Sequence, residues 1–147
     1  MSKKIVGKIS QIIVPVIDVS FEDEGHMPKI YDALSVTNDN GNIIVLEAQQ
    51  DIGENTMRTI AMDSTDGLYR GMEVTSEGMP ISMPTGKNVN GRLFNVIGES
   101  IDGLPKVESK VRRPIHSDPP KFEDLSTSKE ILFTGIKVID LIEPYST

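Results

Sequence analysis

Three kinds of chemistry leave a recognisable spacing in a sequence: a glycine loop that cradles phosphates, a cluster of metal ligands, and a nucleophile with its base. A phosphate loop needs G-x-x-x-x-G-K-[ST], because backbone amides surround the phosphates, the lysine balances their charge and the hydroxyl holds magnesium. Gly7-Lys8 is followed by Ile9. Gly86-Lys87 is followed by Asn88, with Ile81 where the first glycine belongs. Neither pair qualifies. Asp63 and Asp66 lack the alternate oxygen ligands and distal glutamate of a calcium loop, and they read as turn residues, as do Asn38 to Asn42. His26 and His116 have no second histidine at ligand spacing, and the chain has no cysteine. His116-Ser117-Asp118 contains the residue types of a triad, but a triad is assembled in three dimensions and polar loop residues cluster by default. Glu99 with Asp102, and Asp23 with Glu24, could pair for acid–base work. In an acidic chain such pairs read as solvated surface. Arg112-Arg113 is too short for a nucleic-acid patch. No catalytic, cofactor-binding or metal-binding residue is assigned.

The elements that would have to carry any site are mostly strands. Ile5 to Phe21 is rich in Ile and Val, punctuated by Gly7 and Pro15, and reads as two strands or one bent strand. Lys29 to Thr37 and Ile43 to Ala48 flank Asn40-Gly41, the strongest short hairpin signal, since both residues tolerate positive φ. Thr56 to Met62 is a further strand, Asp63 to Gly67 a turn, and Leu68 to Val74 another strand ended by Ser76-Glu77-Gly78. Short strands with turn signals at this spacing indicate an antiparallel barrel or sandwich. A small closed barrel suits a chain with 5% aromatics and no Trp.

The character changes between Gly78 and Pro84. Seven of the nine prolines lie beyond Met79. Gly91 to Ile97 has helical spacing, and Glu99 to Lys121 reads as irregular. Ser126 to Glu130 could cap a helix, and Ile131-Leu132-Phe133 fits helix or strand. Thr134 to Leu141 reads as a short helix with Thr134 as N-cap and Ile136, Ile139 and Val138 turned inward. Too few periodic elements follow residue 81 for a core of their own. Apolar surface from Ile131 to Ile142 is therefore expected to be exposed, with self-association as the result.

The chain has 147 residues and a formal net charge of −7. Such a charge gains nothing from counterion release on DNA or RNA, so nucleic acid is not an expected partner. No stretch approaches the roughly 20 apolar residues that cross a bilayer, and no secretory leader is read at Met1 to Lys8.

From Thr56 onward the sequence ceases to be generic. Thr59-Ile60-Ala61-Met62-Asp63-Ser64-Thr65-Asp66-Gly67-Leu68, then Arg70-Gly71-Met72-Glu73-Val74, closely resemble the beta subunit of F-type ATP synthase. Ile43 to Gln50, Gly91 to Glu99, Pro114-Ile115-His116 and Glu130 to Ile142 continue the resemblance along essentially the whole chain. The alpha subunit and the flagellar export ATPases share features near Gly91 and Ile101 but lack the Thr59–Gly67 run. Val14 stands where that family has glycine before Pro15, and Val89-Asn90 replaces its Thr-Leu.

The resemblance implies a mainly β chain: a six-stranded antiparallel N-terminal β-barrel over residues 1–80, then the incomplete beginning of an α/β P-loop nucleotide-binding domain over 81–147. It implies packing beside alpha subunits in a crown ring, contact with a central stalk in the full complex, and a peripheral place on the cytoplasmic face of a membrane without insertion into it. It also implies Mg-ATP or Mg-ADP as the ligand of the full-length relative, which makes ATP from ADP and phosphate driven by a proton gradient. The phosphate loop would follow Pro144-Tyr145, beyond Thr147, so these 147 residues are expected to bind ATP weakly or not at all. Two rival readings are a free-standing barrel interaction module and a nucleic-acid-binding barrel, the latter opposed by the charge and the few aromatics.

Overall fold

The computed structural model describes residues 4–22, 27–109, 111–124 and 130–146. Six strands close into one antiparallel barrel: β1 (Ile5–Ile13), β2 (Val16–Phe21), β3 (Asp32–Thr37), β4 (Ile43–Asp51), β5 (Thr56–Ala61) and β6 (Glu73–Pro80). Around the barrel the order is β1-β2-β5-β4-β3-β6. The Ile5–Phe21 run is thus two strands, hairpinned at a cis Val14–Pro15 bond.

Register follows from alternation, because successive side chains point to opposite faces. Leu34 lies opposite Leu46 on β4 and Ser76 on β6; Ile17 lies opposite Thr59, and Val19 opposite Met57. These residues all point inward and are buried. Each fully buried aliphatic contributes about 1.5–3 kcal/mol, which offsets the entropy of ordering short strands. Phe21 is the one aromatic in this core among the described residues, and Gly7 makes room for it. A Cβ at Gly7 would lie 2.7 Å from the Phe21 ring and 2.9 Å from the Ser20 carbonyl. Inward polar groups bond to backbone: Thr59 Oγ1 donates to the Ile17 carbonyl at 2.7 Å and Ser76 Oγ to that of Ala33 at 3.2 Å.

The expected β3–β4 hairpin is present, but only Gly41 of the Asn40-Gly41 pair has positive φ, at 80°. Asn38 supplies the rest of the turn, its Oδ1 accepting from the amides of Asn40 and Asn42. The strand expected over Leu68 to Val74 begins later. Residues 69–72 form a turn, closed by the Met72 amide on Tyr69 O, in which the Gly71 amide donates to Ile9 O and the Ile9 amide donates to Met72 O. Strand β6 then runs through Ser76-Glu77-Gly78 to Pro80 rather than ending there. Its register shifts between the Asp32↔Pro80 and Leu34↔Ser76 pairs, and Gly78 takes φ 69° within that irregular stretch.

The chain divides into two compact units, residues 1–117 and 118–147. In the first, β7 (Ser82–Pro84) pairs with β8 (Arg112–Pro114). Gly91 to Ile97 is not helical. Asn95 Oδ1 accepts from the amides of Ile97 and Glu99, Gly98 takes φ 77°, and Phe94 bridges to Ser100, so local Asx chemistry overrides the apolar spacing.

In the second unit β9 (Ile131–Leu132) pairs with β10 (Tyr145–Ser146), which decides the open helix-or-strand reading for Ile131-Leu132, and α1 covers Lys137–Ile142. Ser126 to Lys129 lie outside the described residues. The N-cap of α1 is Ile136, not Thr134. Thr134 instead donates its amide and hydroxyl to Asp140 Oδ1, while the Gly135 amide reaches Oδ2. Ile136 and Val138 are exposed, so the inward face expected for them is absent; Ile139 is half-buried. From Ile131 to Ile142 the large apolar side chains of Phe133, Leu141 and Ile142 are more than two-thirds exposed, at 76%, 73% and 75%.

Candidate functional site

Alternation places the barrel's charged groups on its outer wall, where they should be solvated. Three carboxylates depart from this. Asp32, at the start of β3, is 6% exposed and accepts the Lys29 amide. Asp18 and Glu47 occupy outward positions yet are 4% and 5% exposed. A buried carboxylate needs partners, and both have them. Arg58, directly opposite Asp18, donates Nε to Oδ1 at 2.9 Å and Nη2 to Oδ2 at 3.0 Å. That two-pronged bond raises the Arg58 pKa.

Glu47 is enclosed differently. His116, far along the chain, places Nε2 3.1 Å from Glu47 Oε1, and Gln49 Nε2 donates to Oε2. The Tyr31 ring stacks on the His116 imidazole at 4.0 Å between centroids and 22° between planes. Tyr31 adopts φ 73°, a region that L-residues with bulky side chains seldom occupy.

Beyond the barrel, Arg112 is a hub. Its Nη2 donates to the carbonyls of Ser82 at 2.6 Å and Ile97 at 3.1 Å, and its Nε to Ser82 Oγ at 3.1 Å. Arg92 embraces Asp102, whose carboxylate also accepts the amides of Leu93 and Leu104. The Arg92 bond, and then these amides, hold the Asp102 pKa far below the ordinary carboxylate range.

The described residues among those singled out from sequence have separate partners. His116 bonds to Glu47, while Ser117 Oγ donates to the Pro114 carbonyl. Glu99 pairs with Asn95 and Asp102 with Arg92. Asp63 accepts from the Ser64 amide, as a turn aspartate does. Asp23, Glu24 and His26 lie outside the described residues. Among the described residues no group of three or more His, Asp or Glu is placed to hold a metal ion, and no helix is long and apolar enough to cross a membrane. Sequence reasoning passed over Asp18, Tyr31, Glu47 and Arg58. The only trace of them was a carboxylate at an outward position inside an otherwise apolar strand, as in Val16 to Phe21.

The six antiparallel strands close into a β-barrel domain, and among the described residues no buried side-chain polar atom is unpartnered. Residues 9–78, which run from β1 into β6, match the ATP synthase alpha/beta family, beta-barrel domain. This match over the barrel supports the alpha/beta family for the chain, a domain that implies assembly in an ATP synthase or ATPase complex.

Proposed function

We propose that the chain is the front part of a catalytic beta subunit of the F-type ATP synthase, and that these residues supply contacts between neighbouring subunits in the crown ring. The observation that carries this reading is the run from Thr59 to Gly67. It forms the end of β5 and the turn leading toward β6, inside the matched barrel, and it resembles the beta rather than the alpha subunit. The barrel's exposed apolar side chains, among them Val6, Ile13, Val14, Ile43 and Tyr69, supply surface for such contacts.

In this reading the partners are alpha subunits, with the central stalk reached in the full complex on the cytoplasmic face of the membrane. The whole subunit would bind Mg-ATP and Mg-ADP and make ATP under a proton gradient. These 147 residues contain no G-x-x-x-x-G-K-[ST] loop, so catalysis is not assigned to them.

The test mixes the 147-residue chain with purified alpha subunits, and separately with beta subunits, of an F-type ATP synthase and follows association by sedimentation velocity. A complex with alpha and none with beta is expected. Association with beta alone would assign an alpha-type role. Association with neither would favour the free-standing interaction module. Calorimetry of the chain with Mg-ATP is expected to show no micromolar binding.

A further inference from the structure

Glu47 is buried although its position on β4 points away from the core. Something outside the barrel must cover it, and the segment 111–117 does so through His116. This segment forms a strap. Its residues are all exposed, with Val111 at 62% and Ile115 at 47%, so apolar burial does little to hold it down. Most of its hydrogen bonds run to the residues immediately after the barrel: β8 pairs with β7, Ile115 N donates to Ile81 O at 3.0 Å, and Arg112 reaches Ser82 and Ile97. Among the described residues, the His116–Glu47 bond is the strap's one hydrogen bond to a barrel strand. Beside the strap lies an open pocket of about 290 Å³ lined in part by Ser35, Val45, Thr75, Ile97 and Arg112.

We propose that Tyr31, Glu47 and His116 form a clasp that holds residues 111–117 on the barrel and that opens locally while the barrel stays folded. Two independent observations meet here. One is a carboxylate buried at an outward position, whose Oε2 is met by Gln49 of its own strand and whose Oε1 is met from outside the barrel by His116. The other is the left-handed backbone of Tyr31, an unfavourable conformation that persists only where its surroundings impose it. It sets the ring that stacks on His116. Its amide donates to Ala48 O at 2.7 Å, which fixes that backbone against β4. The strap thus meets Glu47 through one polar bond and Tyr31 through one ring stack, the profile of a segment with low local opening energy. Opening returns the Glu47 carboxylate to water, so the cost of an unpaired buried charge does not arise in the open state.

Hydrogen exchange on the full 147-residue chain tests this. In His116→Ala, the amides of the strap's non-proline residues, 111–113 and 115–117, are expected to exchange about tenfold faster, in line with one lost charge-assisted bond, while those of Val19 and Leu46 keep their protection. His116→Gln, which retains a donor toward Glu47, is expected to restore part of the slow exchange. In a cycle with Glu47→Ala, the double variant is expected to match the faster single variant, because both remove the same contact. Unchanged strap exchange in His116→Ala overturns the proposal. So does full additivity in the cycle. Acceleration of the Val19 and Leu46 amides in step with the strap, or failure of His116→Ala and His116→Gln to fold, also overturns it, since strap and barrel would then be one cooperative unit.

Discussion

Asp18 and Arg58 face each other in register across β2 and β5, and the arginine closes both carboxylate oxygens at about 3 Å while remaining 41% exposed itself. The pair is asymmetric: one partner is nearly sealed and the other is half in water.

That asymmetry predicts an order of damage. Arg58→Ala leaves a buried carboxylate without its donor, whereas Asp18→Asn removes the buried charge and leaves an exposed arginine that water can solvate. Thermal unfolding is expected to show a clearly lower Tm for Arg58→Ala than for Asp18→Asn. Equal losses would mean the bond acts as a surface pair.

Gly7 is required by the approach of Phe21 rather than by backbone freedom, since it pairs with Phe21 across the β1–β2 hairpin. Gly7→Ala is expected to cost about 1–3 kcal/mol by overpacking. Adding Phe21→Leu to it should recover part of that loss, because the clashing ring atoms are gone. Urea denaturation of the single and double variants provides the comparison.

The Arg92–Asp102 contact sets a pH dependence. The carboxyl pKa is depressed from its ordinary 3.8 in the folded state. The contact therefore contributes stability that is complete above the ordinary value and fades as pH falls below it. Exchange of the Leu93 and Leu104 amides, both bonded to Asp102, is expected to depart from the intrinsic pH trend in that acid range. Asp102→Asn should show faster exchange at neutral pH and no such departure.

Apolar exposure between Ile131 and Ile142 predicts concentration-dependent self-association of the chain. Light scattering should register it, and Phe133→Asp with Leu141→Asp should suppress it without shifting the barrel's unfolding. A monodisperse monomer in the parent chain would contradict the prediction.

The barrel was legible because alternation and turn chemistry are local. Asn40-Gly41 between two apolar runs marked the β3–β4 hairpin, and Pro15 marked the break between β1 and β2. Leu68 to Met72 misled because Met72 is buried, as a strand residue would be, yet it reaches the core from a turn that bonds to Ile9. Thr134 has the chemistry of a cap, but Asp140 captures both its amide and its hydroxyl, and the helix starts later. The enclosure of Glu47 left no trace in its own neighbourhood. Its cover comes from His116, 69 positions away, and no periodicity reports a contact of that range. The resemblance carried by Thr59 to Gly67 pointed to the family that residues 9–78 match.

Closure of the six strands has a consequence for how anything can dock on this wall. Each barrel strand already has a hydrogen-bonded neighbour on either side, so a visiting chain finds no open edge to extend. Recognition there must be written in side chains alone. A single outward substitution can then retune affinity for a docking partner while the backbone stays as it is.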